Sequence, residues 1–213
     1  MRYVKGHKEQ TRNRIVEEAC DALLRKGLNG VSVVDLMKLA GLTHGGFYHH
    51  FDSRDALVVE AFAFAMDRTV SRWVKLTKGM PVEEKFNVIV ESYLSDRHRD
   101  NQAGGCVLPA LGTDVSRSSA GVRRIFASKL EEMIELVARL FPRKSSSEAR
   151  QVATGVIATM MGSVALARAA GNKMLADEIL EAGRQAARNQ VAFRRSSRGR
   201  RNVTGRQGAG EER

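Results

Sequence analysis

The sequence predicts an all-α fold, with a small three-helix head ahead of a larger helical domain. Three observations carry that prediction. Aromatic residues make up only 6% of the chain and proline occurs three times, while Ala, Leu, Val, Arg and Glu are plentiful. Apolar residues recur at helical spacing in successive segments from about residue 8 to residue 193. A 43% hydrophobic content over 213 residues is enough for a sizeable core, in one large domain or two small ones.

Residues 8–26 place Ile15, Ala19, Ala22 and Leu23 on one helical face, and Gly27 follows where a left-handed C-cap belongs. Ser32 then precedes Val33, Leu36, Met37 and Ala40, with Asp35 three residues on as its capping-box partner, and Gly41 ends this short second helix. Thr43 is placed to cap a third helix of about seven residues, through His49. Ser53 caps a fourth, with Asp55 in its first turn and Leu57, Ala61, Phe62 and Ala65 on one face, continuing past Trp73. Two short helices joined by a tight glycine turn, after a longer one, make a helix-turn-helix.

Downstream, Pro81 suits the first turn of a helix running to about His98, and Gly104-Gly105 break the chain. Further segments are predicted at Cys106 to Ser116, Ala120 to Phe141, Ser147 to Ala170 and about Leu175 to Phe193. The reading divides the chain into a helix-turn-helix domain at 1–53, a helical domain at 54–193 and a disordered basic tail at 194–213, whose Arg, Ser, Gly, Asn and Glu cannot build a core.

The formal charge of +11 points to an anionic polymer or surface as partner. It is concentrated at the ends: +4 in residues 1–14 and +5 in residues 194–213, leaving about +2 for the long middle. The basic N-terminal stretch leads directly into the head and is expected to extend toward backbone phosphates or a minor groove. It has no apolar run of the kind a secretory signal needs. Cys20 and Cys106 are too few for a disulfide scaffold, which fits a cytoplasmic protein. The uncharged run Gln151 to Ala167 would be about 25 Å long as a helix and contains Thr, Gly and Ser, so it reads as a buried helix and not a membrane span.

The stretch "GLTHGGFYHHFDSRDAL", residues 41–57, packs glycines, histidines and aromatics together. A zinc site from His44, His49 and His50 is disfavoured, because successive helical side chains point about 100° apart and no Cys or acidic ligand is nearby. No metal or other cofactor is expected. Phe47 and Phe51 read as core, closing the head over Leu23, Leu36 and Leu42. Gly45 and Gly46 would let the helix lie deep in a groove, at a cost of about 1 kcal/mol of helix propensity each. The hydroxyls of Ser32 and Thr43, beside helix-start N–H groups, suit phosphate oxygens, and His44 and His49 are the main candidates to read base edges.

From the first helix through "GLTHGGFYHHFDSRDALVVEAF", residues 9–62 resemble the N-terminal pattern of the TetR-type transcriptional repressors. The resemblance implies a DNA-reading head and a larger domain that binds ligand and dimerises. It implies that Thr43 to His49 is the recognition helix, that Ser32, Thr43, Tyr48, His50 and Arg54 hold DNA phosphates, and that His44 and Gly45 meet base edges.

In "NQAGGCVLPALGTDVSR", residues 101–117, Pro109 requires a helix start near Cys106, which sets the thiol close to the positive end of a helix dipole and is expected to lower its pKa. A Gly-Gly-Cys start resembles a subgroup of TetR-type repressors, some of which sense reactive electrophiles or oxidants through that cysteine; the alternative is a small buried residue beside a ligand cavity. Met133 and Met160 are further ligand candidates, although methionines at this spacing equally make core. Gly155, Thr159 and Gly162, with Val152, Val156, Met160, Val164 and Ala167 on an adjoining face, mark the dimer interface expected of the last two helices.

These readings converge on a homodimeric, ligand-responsive regulator of a double-stranded DNA operator, with an effector of unidentified chemistry and no membrane partner. A nonspecific basic nucleic-acid-binding protein would explain the charge but not the ordered head motif. No Ser/His/Asp grouping, paired carboxylates, Walker loop or dinucleotide fingerprint suggests an enzyme.

Overall fold

The structure, a computed structural model, describes residues 7–192. The basic tail expected at 194–213 and the start of the N-terminal arm lie outside them. Among the described residues there are nine α-helices, one 3₁₀ helix and no strand.

The head follows the sequence closely. Helix α1 (His7–Lys26) buries Ile15, Ala19, Ala22 and Leu23 and stops at Gly27, whose φ of 77° only glycine adopts without strain. Helix α2 (Val33–Leu39) starts at a complete capping box between Ser32 and Asp35, and Gly41, at φ 68°, turns the chain out of it. The third element differs from expectation. Residues His44–His49 form a 3₁₀ helix, and Thr43 makes no side-chain capping bond. With two glycines in six residues there is little propensity to hold an α-helix, and the tighter turn is fixed mainly by Phe47. Phe47 and Phe51 are 1% and 2% exposed and stack at 5.6 Å, within the same core as Leu23, Leu36 and Met37.

Helix α3 (Arg54–Leu76), capped by Ser53, runs from head into body. Its first turns bury Leu57, Val58, Ala61 and Phe62, and later ones Ala65, Met66 and Trp73. The single helix predicted from Pro81 to His98 is two, α4 (Val82–Tyr93) and α5 (Asp96–Asp100). Leu94 leaves helical geometry, and the Ser95 hydroxyl accepts the His98 N–H at 3.3 Å, restarting the helix: serine competes for backbone groups in the way that favours caps over helix interiors.

Helices α6 (Val107–Ser116), α7 (Ala120–Ala138), α8 (Ser146–Ala169) and α9 (Lys173–Ala192) complete the body. Helix α8 is long and apolar enough to cross a membrane by length and composition. It lies against α5, α6, α7 and α9, and forms an antiparallel hairpin with α9 in which Gly155 approaches Gln190 and Gly183 approaches Ser163. Val152, Val156, Met160, Val164 and Ala167, expected at a dimer interface, are buried within the single chain. With four helices packed on it, α8 has these apolar positions covered by its own chain. The face of α8 left in solvent carries Thr154, Ala158, Leu166 and Ala169.

Candidate nucleic-acid interface

The 3₁₀ helix turns Phe47 inward and leaves Thr43, His44, Gly45, Tyr48 and His49 exposed. Residues three apart eclipse in such a helix, so Tyr48 stands over Gly45 and His49 over Gly46. Tyr48 is 66% exposed and its ring meets those of His44 and Phe47 edge to face. Its hydroxyl bonds to no described residue, and the Thr43 hydroxyl is free of the cap bond expected of it. Five adjacent residues thus present one polar-aromatic surface whose groups are not used by the fold.

The other predicted contacts differ in how free they are. Ser32 is exposed, but its hydroxyl accepts the Asp35 N–H at 3.1 Å and donates to the Asp35 carboxylate at 2.6 Å. Those bonds hold the Asp35 carboxyl below its usual range. Ser32 therefore offers an anion mainly its neighbours' N–H groups. Arg54, expected to reach a phosphate, is turned inward: its guanidinium donates to the carbonyls of Leu28 and, at 3.3 Å, Val31. It braces the turn between α1 and α2, because those carbonyls follow a broken helix and have no helical donor.

His50 is half-buried, and its Nδ1 has no hydrogen-bond partner among the described residues. Burial lowers its pKa first, and the nearby positive groups Lys8, His49 and Arg12 add to the effect. Arg12 itself lies 4.3 Å over the Phe51 ring and pairs with Glu60 of α3. No local signal marks Arg12 as a brace, since Glu60 is 48 residues away.

The head is tied to the body by bonds with no local sequence signal. The Asp114 carboxylate of α6 accepts the Leu28 N–H at 3.3 Å and the Arg117 guanidinium at 3.1 Å. Arg68 of α3 bridges Asp21 of α1 and the Ala103 carbonyl, both at 2.9 Å, and Arg72 donates to the Gly104 carbonyl at 2.7 Å. Arg168 of α8 donates to the carbonyls of His98 and Arg99, each at 3.0 Å. The loop before α6 is thereby gripped from α3, and the end of α5 from α8.

Cys106 follows that loop, and here an expectation is reversed. It is the N-cap of α6, near the helix start as predicted, but it is 1% exposed, and burial pushes its thiol pKa up. The neighbouring Tyr93, Leu108 backbone and Thr69 act the other way without winning. A dipole end lowers a thiol pKa only where the thiolate is not stripped of water. Beside it, the His98 Nδ1–H donates to the Tyr93 carbonyl at 2.6 Å, while Nε2 accepts the Cys106 N–H at 3.0 Å. This imidazole is neutral, with a pKa lowered by burial to about 4. Met133 and Met160 are also 1% exposed. A surface recess of about 500 Å³ between α7 and α8, lined by residues including Ile134, Phe141, Lys144 and Arg150, includes none of Cys106, Met133 and Met160.

The chain is similar to known proteins in sequence and in fold. Residues 15–61, which span α1 to the first turns of α3, match the family of bacterial regulatory proteins, tetR family. The HTH-type transcriptional repressor DhaR of Mycobacterium sp. (strain GP1) is 27% identical over 130 residues, 58% of this chain and 62% of that protein. The HTH-type transcriptional repressor KstR2 of Mycolicibacterium smegmatis is 27% identical over 93 residues, 43% of this chain and 45% of its own length. The chain thus spans roughly half to three-fifths of these curated relatives. Among solved structures, a TetR transcriptional regulator from Chloroflexus aurantiacus superposes with a TM-score of 0.74 at 22% identity, covering 88% of this chain and 97% of that one. The reduced form of Escherichia coli NemR gives 0.72 at 20% identity, covering 84% and 96%. At such identity the structural likeness shows the fold. Residues 15–61 are thus similar to the amino-terminal domain of the tetR-family bacterial regulatory proteins, and the all-helical structure has the fold of solved TetR regulators.

Proposed function

We propose that the chain is a cytoplasmic TetR-type repressor that grips a double-stranded operator as a homodimer and releases it when an effector acts on the larger domain. The observation that carries this reading is the exposed set Thr43, His44, Gly45, Tyr48 and His49, held by a buried Phe47 and unused by the fold. Thr43 and Tyr48 have donors to offer phosphates, and His44 and His49 read base edges. Ser32 sets the register through the backbone at the start of α2. The relatives named as transcriptional repressors support the sign of the regulation.

Dimerisation is assigned to the outer faces of α8 and α9. Ala158, Leu166 and Ala169 on α8 and Leu175, Ala182 and Ala186 on α9 are exposed, and Gly162 has open space where a side chain would be. Such small apolar surfaces let helices of a second copy approach closely. A two-fold dimer presents two heads to inverted half-sites. An effector is expected to act by loosening the loop that Arg68 and Arg72 grip, since Arg68 also holds Asp21 of α1. A reactive species would have to open that loop first to reach Cys106.

Selection of bound fragments from random duplex DNA, with light scattering on the free protein, tests the reading. An enriched palindromic or near-palindromic site and a dimer at micromolar concentration are expected. No enriched sequence, or a monomer, would overturn it.

A further inference from the structure

The recess of about 500 Å³ between α7 and α8 has an apolar floor and a basic rim. Ile134, Phe141 and Ala149 make the floor, each less than a tenth exposed, and Phe141 packs edge to face on Phe86 of α4 at 5.4 Å. On the rim stand Arg139 at the end of α7, Lys144 in the turn and Arg150 on α8. These cations differ in what they already hold. Arg139 pairs with Glu135 at 3.8 Å, and Arg150 donates to the Glu131 carboxylate at 2.7 Å. The half-buried Lys144 ammonium makes no hydrogen bond or ion pair among the described residues. The carboxylates close to it in sequence are committed elsewhere: Glu131 to Arg150, Glu135 to Arg139 and Glu148 to the capping box at Ser145. A cation partly withdrawn from water and left without a counter-charge favours an anion.

The geometry points to a ligand site: the recess takes a small alkyl carboxylate, whose chain lies on Ile134, Phe141 and Ala149 and whose carboxylate pairs with Lys144. Its volume falls within the roughly 300–1,000 Å³ of small-molecule sites. A polyanion such as a nucleotide suits it less, because the floor is apolar and Lys144 alone of the three rim cations lacks a carboxylate partner. Ser146, in the first turn of the 24-residue α8, lines the same recess, so the positive end of that helix adds to Lys144. Helix α7 runs from this site back to the head end of the body: Gly121 in its first turn lies beside Val59 of α3, and Ala138 at the recess is roughly 25 Å further along the axis. Occupancy of the recess is measurable without DNA, so the inference stands apart from the DNA-binding reading.

The test titrates octanoate into the full-length chain and follows binding by saturation-transfer NMR, with 1-octanol and octylammonium as probes of the same chain length. Octanoate is expected to saturate with a Kd on the order of 1 mM or below, 1-octanol to bind more weakly and octylammonium weakest. Lys144→Met keeps the apolar stem and is expected to weaken octanoate about two- to fivefold while leaving 1-octanol unchanged. Ala138→Trp, at a half-exposed helix position on the recess, fills it and is expected to abolish binding of both, with the helical circular dichroism of the wild type retained. Three results overturn the proposal. They are no saturation by octanoate below about 10 mM, equal binding of octanoate and octylammonium, and octanoate binding that both variants leave unchanged. The last would place the ligand elsewhere in the chain.

Discussion

His98 makes the stability of the body depend on pH in a way that a single substitution isolates. Both ring nitrogens are used in the neutral form: Nδ1–H donates to the Tyr93 carbonyl, and Nε2 accepts the Cys106 N–H. A proton on Nε2 would face that N–H with a second donor, and the ring is 8% exposed, with Arg168 and Arg72 adding positive charge nearby. Its pKa accordingly falls from 6.5 to about 4. The unfolded chain takes up the proton at about 6.5 and the folded one only near 4, so the unfolded state gains protons first as pH falls. Stability from this group is fully present above about pH 6.5 and is lost as pH drops toward 4. By linkage the loss is about 2 kcal/mol at pH 5 and about 3 kcal/mol at pH 4. At pH 5 that is a Tm decrease of roughly 4–8 °C for a chain of this size. His98→Asn keeps a neutral side chain and has no proton to gain, so the difference between wild-type and variant unfolding free energies should shrink by about 2 kcal/mol from pH 7.5 to pH 5. Taking the difference removes His50, whose lowered pKa acts in the same direction in both proteins. Denaturant titrations at four pH values measure it, and parallel curves for the two proteins would refute the assignment.

Tyr48→Phe should weaken binding to all DNA sequences by a similar factor, whereas His44→Ala should change which sequence is preferred; competition binding on operator and scrambled duplexes checks the division of roles. Because burial holds both thiols in the protonated form, and Cys20 up to about 11, Cys20 and Cys106 should label slowly with a thiol reagent in the native protein and quickly in denaturant, as followed by mass spectrometry. Asp114→Ala leaves the Leu28 N–H without its partner and Arg117 without its carboxylate, and should cost about 1–3 kcal/mol in chemical denaturation. Removing the chain after Phe193 should flatten the plot of log affinity against log salt by about 0.9 for each phosphate that the tail had neutralised, and leave the preferred operator unchanged, as binding isotherms at several salt concentrations would show.

Local chemistry was enough to place much of the head. The Ser32–Asp35 box, the stops at Gly27 and Gly41 and the Ser53 cap each depend on residues a few positions apart, so the sequence determined them, and apolar spacing determined the all-helical class and the inward Phe47 and Phe51. What the tertiary structure alone decided involves partners distant in sequence or a balance of burial against charge. Arg54 faces carbonyls 23 and 26 residues away and not solvent, Asp114 reaches Leu28 across 86 residues, and the apolar stripe of α8 was taken by its own chain. Cys106 shows the reason most directly. Its position at a helix start was legible from Pro109, but whether a thiol there ionises depends on how much water remains around it, and that is set by Tyr93, Thr69 and His98, which other parts of the chain bring to it.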